Sequence, residues 1–226
     1  MTPRVALTFD AEHPDRPGNA SDGCTRVLDA LAATGARATF FVQGRWAWAR
    51  PAEARRIAAD GHLVGLHCHS HVPYPWLTPA GVAADLAQGR AAVTEACGVD
   101  PAPWFRLPYG LGAGDATVGG LLADAGFAHV DMSVNTGDWC TCVRPEGLTA
   151  AVLAAVERCA GAAVLLHHTW PAVTGEALPV TIEALRRAGA ELVTVDELDR
   201  AEVATLHLAA DSRTPGACTC QPWLAA

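Results

Sequence analysis

The feature that most constrains this chain is a repeated alternation of two kinds of segment. Short apolar runs stand at 5–9, 38–42, 62–66, 104–105, 129–133, 163–166 and 191–195. Ala-, Arg- and Glu-rich stretches with helical character lie between them, near 21–34, 51–60, 79–97, 115–125, 146–160 and 176–188. The helical stretches end on Gly35, Gly61, Gly98, Gly126, Gly161 and Gly189, where a left-handed cap belongs. Ser21 and Thr78-Pro79 are helix-start signals. Strand–helix alternation implies parallel strands joined by helical crossovers. Roughly seven such units suit one closed or nearly closed barrel better than two domains. The expected fold class is therefore α/β, with residues 1–200 forming a single-domain barrel. Residues 201–226, which include Cys218-Thr219-Cys220 and two prolines, read as an irregular tail packed on or beside it.

Composition narrows the function. Half of the 226 residues are hydrophobic and 18% are charged, enough for a large core without disulfides. The net charge is −8, which argues against a nucleic-acid or anionic-membrane partner. All 16 basic residues are Arg, so no P-loop, Schiff-base or cofactor-anchoring Lys exists. No leader is visible at the N-terminus, and the apolar stretch 148–166 is interrupted by Glu157 and Arg158, so the expectation is either a cytoplasmic location or a leader removed before this numbering. Composition says nothing of oligomeric state.

Ionisable residues crowd the ends of the apolar runs. The first ends at Asp10 with Glu12 beyond it, the third enters His67-Cys68-His69-Ser70-His71, and the fourth enters Arg106-Leu107-Pro108-Tyr109-Gly110. Asn135-Thr136-Gly137-Asp138-Trp139 follows the fifth, and the sixth ends at His167-His168. Gathering such groups costs hydration, so their clustering at one barrel rim reads as an active site. His67 and His71 are four apart, which on one helical turn points both imidazoles the same way. With one carboxylate they make a site for Zn²⁺ or another divalent ion that keeps positions open for water.

In this order the motifs resemble the polysaccharide deacetylase family, the carbohydrate esterases that share the nodulation-type chitooligosaccharide deacetylase domain. Thr8-Phe9-Asp10 is similar to its first motif, His67 to His71 to the second, Phe105 to Gly110 to the third, Asn135 to Trp139 to the fourth, and Leu165-Leu166-His167 to the fifth. The resemblance runs from about Val5 to Leu198 and implies a distorted (β/α)7 or (β/α)8 barrel. It also implies roles: Asp10 as base, Arg106 as its partner, His67 and His71 as metal ligands, and the Tyr109 N–H as oxyanion donor. His167 would be the acid, held and charged by Asp138, while Trp139 and Leu166 line the acyl pocket. The chemistry agrees, because an amide needs an activated water, a base, and an acid for its departing nitrogen.

The chain also departs from the family. The second Asp of the first motif is Ala11. Glu12 stands two residues past Asp10, so in extended chain both side chains share a face, and Glu12 is expected to supply the missing ligand. His13, Asp15 and His69 are the other candidates. The first Asp of the fourth motif is Asn135, and the Asp usual after the acid is His168, which could carry a proton, ligate or simply line a loop. The pairs Cys140/Cys142 and Cys218/Cys220 could share a metal or a disulfide. Tyr74, Trp76 and Trp170 lie on expected rim loops, where they could stack on sugar rings. Trp46 and Trp48 read as core or subsite wall.

The resulting expectation is a metal-dependent hydrolase, with Zn²⁺ or else Co²⁺, Mn²⁺ or Ni²⁺. It would remove an N-acyl group, most simply acetyl, from an amino sugar or a small molecule containing one. A second reading is an amidohydrolase of a non-sugar C–N bond such as a ureide or cyclic imide, which need not hold metal. A third is an inactive glycan-binding barrel.

Overall fold

A computed structural model describes residues 2–15, 21–159 and 161–199. The expected tail at 201–226, and with it any pairing of Cys218 or Cys220, lies outside the described residues.

The chain runs β1 (Arg4–Ala11), α1 (Gly23–Thr34), β2 (Thr39–Val42), α2 (Gly44–Ala49), α3 (Pro51–Ala59), β3 (Leu63–Leu66), α4 (Pro79–Cys97) and β4 (Trp104–Phe105). It continues through α5 (Ala116–Asp124), β5 (Ala128–His129), β6 (Val134–Asn135), α6 (Pro145–Arg158), β7 (Ala162–His168), α7 (Ala172–Arg187) and β8 (Glu191–Val193). The described strand pairs are all parallel, in the order β5-β4-β3-β2-β1-β7-β6, with β8 also against β1. The two ends of this path, β5 and β6, are consecutive in the chain. From His129 to Val134 the backbone spans at most about 18 Å, so the sheet curls until its edges face each other.

The central strands β1, β2 and β7 are buried on both faces, as crossover helices require. Val5, Leu7, Phe9 and Ala11 of β1, Phe40 and Val42 of β2, and Ala163 and Leu165 of β7 pack into the core under the helices. The alternate residues Ala6, Phe41, Ala162, Val164 and Val193 fill the barrel interior with Val130 and Val195. β1 lies along β7 with Phe9 beside His167 and Asp10 beside His168. Neighbours in register share a face, so His168, not His167, points with Asp10 into the barrel mouth.

Several helix ends follow the expected physics. The Thr78 hydroxyl accepts from the Gly81 N–H at 3.2 Å, Asp115 caps α5 through the Thr117 and Val118 N–H groups, and Gly35 and Gly98 close α1 and α4 in the left-handed conformation. Three segments differ from the sequence reading, the first being the expected strand 129–133, which is instead two short strands, β5 and β6, joined by residues 130–133. The segment Gly44–Ala49 forms α2, burying Trp46 and exposing Trp48. α7 starts at Ala172 rather than Glu176, a turn that Val173-Thr174-Gly175 disguises as a loop. Among the described residues no helix is long and apolar enough to cross a membrane.

α1 packs where β7 leaves the barrel. A Cβ at Gly23 would meet the Thr169 carbonyl oxygen at 2.4 Å and the Trp170 carbonyl oxygen at 3.3 Å. Because both obstacles are backbone, Gly23→Ala should destabilise the protein by about 1–3 kcal/mol, read as a lowered urea midpoint at unchanged slope.

Candidate active site

Five strand ends, those of β1, β3, β4, β6 and β7, bring their side chains into one mouth. At the end of β1, Glu12 is 4% exposed and sits among five side chains. Its Oε2 lies 2.5 Å from His71 Nε2 and 3.1 Å from His67 Nε2, and the two imidazole nitrogens are 3.0 Å apart. Its Oε1 faces His13 Nε2 at 3.2 Å, the Trp170 Nε1–H at 3.3 Å and His168 Nε2 at 3.7 Å. Asp10, one pleat below, has Oδ2 3.7 Å from His67 Nε2 and Oδ1 2.9 Å from an Arg106 N–H.

Arg106 is buried inside the barrel. It also donates to Thr8 Oγ1 and to the Val130 carbonyl, and its guanidinium lies 4.1 Å over the Phe41 ring. The expected Asp10–Arg106 pair is thus formed, and Glu12 does share the face of Asp10.

The loop after β3 is not the helical turn expected from the His67/His71 spacing. Cys68 and His71 are both left-handed, at φ 53° and 65°, and this reversal turns the two rings toward each other. Asp85 of α4 fixes the loop from behind. Its carboxylate accepts from the His69 and Ser70 N–H groups at 2.7 and 3.0 Å, from the Ser70 hydroxyl, and from the Tyr74 hydroxyl at 3.2 Å. Asp85 belongs to no motif, and its one sequence signal is an acidic residue on the buried face of a helix. Tyr74 is corrected accordingly: 1% exposed, it packs on Phe105 and anchors this network, and has no surface left for a sugar.

His67 Nδ1 lies 2.9 Å from the Arg106 carbonyl, so that nitrogen carries a proton, and Nε2 is left facing Glu12, where it shares a proton with the carboxylate or would present a lone pair to a bound cation. Burial opposes ionising Glu12, but hydrogen bonds from His67 and His71, with the charge of His71 and His168, hold it well below the usual carboxylate range. Burial also opposes charge on His67, but Asp10 and Glu12 outweigh it and raise its pKa. Lone pairs and a carboxylate aimed at one point require a cation or shared protons between them. The donor set therefore fits a divalent ion. Glu12, His13 and His71 also offer ligand atoms within 4.8 Å of one another. Of the other candidates, Asp15 pairs with Arg45 at 3.3 Å, and the His69 ring turns onto Trp48.

The second correction concerns the histidine at the end of β7. Asp138 was expected to hold His167. Instead its Oδ1 lies 2.8 Å from His168 Nδ1, and its Oδ2 accepts from the His168 N–H and the Thr174 hydroxyl, both at 2.7 Å. His167 points the other way and stacks on Phe9, with Nδ1 buried and unbonded. Burial pushes its pKa down to about 4. On His168 burial acts in the same sense, but Asp138 and then Glu12 and Asp10 overcome it and push the pKa up to about 9. Burial works against ionised Asp138 too, and the charge and hydrogen bond of His168 win, lowering its pKa.

Leu166, buried two residues before His168, shares its face, and Trp139 is half-buried beside Asp138. Tyr109 is also left-handed, at φ 58°, in the turn Pro108–Gly110, with its ring edge-on to His71. Asn135 is exposed, and its Oδ1 accepts from the Gly137 N–H. Trp76 stands 75% exposed, and Trp170 backs the Glu12 cluster.

Comparison with known proteins shows the family of the chain. The polysaccharide deacetylase family model matches residues 2–130. A chitooligosaccharide deacetylase from Bradyrhizobium sp. (strain ANU 289) is 34% identical over 213 residues, covering 87% of this chain and 91% of its own. The family 4 carbohydrate esterase from Streptomyces lividans, solved in complex with acetate, superimposes with a TM-score of 0.71 at 29% identity, over 83% of this chain and 90% of that one. A mutant of a Bacillus anthracis pseudoenzyme of the same esterase family, with restored enzymatic activity, gives a TM-score of 0.75 at 26% identity, over 86% of this chain and 66% of that one. With more than half of its length matched by the family model and a relative this similar along nearly its whole length, the chain belongs to the polysaccharide deacetylase family and is a hydrolase of the deacetylase class.

Proposed function

We propose that the protein removes the acetyl group from N-acetylglucosamine units of a soluble oligosaccharide, using a divalent cation, Zn²⁺ by preference. The observation that carries the reading is the meeting, in one barrel mouth, of the Glu12/His67/His71 cluster with the Asp10–Arg106 and Asp138–His168 pairs. The chitooligosaccharide deacetylase name of the Bradyrhizobium relative supports the substrate class.

Glu12, His67 and His71 would hold the cation. When bound, such an ion polarises the amide carbonyl and brings the pKa of a water to about 7. Asp10 is the base. Arg106 ties down one of its oxygens and leaves the other to take the proton of the water that attacks the carbonyl carbon. The new C–O bond places negative charge on the former carbonyl oxygen, and the Tyr109 N–H is the donor for it.

His168, charged by Asp138, is the acid. It gives its Nε2 proton to the nitrogen as the C–N bond breaks, so acetate and a free amine leave. Asp138 and Thr174 hold the ring so that Nδ1 is committed to the carboxylate and Nε2 faces the mouth. Leu166 and Trp139 limit the acyl pocket to a small group, and exposed Trp76 offers a ring to a neighbouring sugar.

The metal-free reading loses its main support because Glu12 stands where Ala11 leaves no ligand. The inactive-barrel reading is disfavoured by the intact base and acid pairs. The deciding assay follows acetate and amine release from N-acetylated chitooligosaccharides by mass spectrometry, with and without added Zn²⁺, Co²⁺, Mn²⁺ or Ni²⁺. Deacetylation is expected and should be abolished by chelation. Hydrolysis of a ureide or imide alone would overturn the proposal.

Four variants test the assigned residues. Glu12→Gln should lower metal content as well as turnover, measured by elemental analysis of dialysed protein. His168→Gln should cost about 10²–10⁴ in kcat, while His167→Leu, on the outer face, should keep kcat within a few-fold. In wild type the acid is protonated below about pH 9. Asp138→Asn removes the partner that raises this pKa, so the alkaline limb of the kcat profile should move to lower pH, and an unmoved limb would count against His168.

A further inference from the structure

We infer that His13 supplies a third imidazole to the cation held by Glu12, His67 and His71, giving this chain a three-histidine, one-glutamate ligand set. The inference rests on the reading of Glu12, His67 and His71 as ligands.

Three observations point to it. The ligand atoms of Glu12, His13 and His71 lie within 4.8 Å of one another, a spacing that one ion can bridge. His13 Nε2 is 3.2 Å from Glu12 Oε1, and its ring meets the His71 ring edge-on with centroids 4.4 Å apart. Glu12 is thus flanked by imidazoles on both oxygens, with His67 and His71 on one and His13 on the other.

The backbone supplies the third observation. His13 is left-handed at φ 53°, a conformation disfavoured for a residue with a Cβ. Its N–H is held in that turn by Oε1 of buried Gln43 at 3.0 Å. The turn bends the chain back just past β1, which brings the ring over the cluster. His13, Cys68, His71 and Tyr109 are the non-glycine residues with positive φ among those described, and all lie at this mouth. Strain concentrated at one place reads as geometry imposed for a site.

Four protein ligands would close a tetrahedral shell. A cation serving hydrolysis here must therefore accept a fifth or sixth ligand, which Zn²⁺ can do by expansion and Co²⁺ or Ni²⁺ accepts readily. The sequence Ala11-Glu12-His13 then replaces one lost aspartate ligand with two residues.

The test strips the full chain with a chelator, reloads it with Co²⁺, and measures affinity by chelator competition and imidazole count by X-ray absorption. His13→Gly is the first variant, since it removes the ring while glycine tolerates the positive φ. The expected result is three imidazoles in wild type, two in His13→Gly, and a Kd weakened about tenfold or more. In His13→Cys the introduced thiolate should add a sulfur-to-cobalt charge-transfer band. An unchanged Kd and imidazole count in His13→Gly, with no such band in His13→Cys, would overturn the inference and leave the Glu12/His67/His71 reading standing. Wild-type protein that binds no divalent cation, or Glu12→Gln that binds it undiminished, would strike that underlying reading instead.

Discussion

The parallel pairing of β1 with β7 is the constraint on which the rest of the site depends. Its register sets Asp10 beside His168 and Phe9 beside His167. Side chains alternate across a strand, so one residue of slip in β7 would set His167 beside Asp10 and send His168 toward the helix-packed core. The register is protected because both faces of both strands are full. Leu7, Phe9 and Leu165 cannot exchange places with Ala6, Ala162 and Val164 without leaving holes on one side and clashes on the other. Arg106 adds a polar lock, reaching across the interior to Thr8 and Asp10.

The mouth gathers groups that would separate if stability alone decided. Glu12, Asp10, Asp138, Arg106, His67, His71 and His168 are all nearly excluded from solvent, except that His168 keeps a partly open edge. Burial opposes the charge on Glu12, His67, Asp138 and His168, and in each case a neighbour of opposite sign reverses the outcome. The charged forms therefore depend on one another. Asp85 sits outside this exchange and holds the shape of the His67–His71 loop through backbone and hydroxyl donors. Two adjacent histidines on one strand are consequently shifted in opposite directions, His167 down to about 4 by burial and His168 up to about 9 because Asp138 outweighs the same burial.

Much of this was legible in the sequence. The strand–helix alternation with glycine stops announced a parallel α/β barrel, and the crowding of ionisable residues at the ends of apolar runs announced one rim. Period-2 reasoning put Glu12 with Asp10 because polar residues there interrupt the apolar run. The same reasoning failed at β7. Ala162 to Leu166 is apolar on both faces, so nothing in the string says which of His167 and His168 points inward. The His67/His71 spacing suggested a helical turn, whereas left-handed residues bring the rings together in a loop. Tyr74 looked like a rim aromatic because its partner Asp85 is remote in sequence and belongs to no motif.

The sequence by itself determined the fold class, the family and the strand ends at which ionisable groups gather, because those follow from local periodicity and from short ordered motifs. Tertiary structure alone decided which histidine meets Asp138, which tyrosine is a strut, and that His13 turns back over Glu12. Those outcomes depend on strand register, on a buried carboxylate reaching a distant loop, and on backbone turns held by side chains from another strand end. Such contacts form only when segments far apart in the chain are packed together, and no local pattern encodes them.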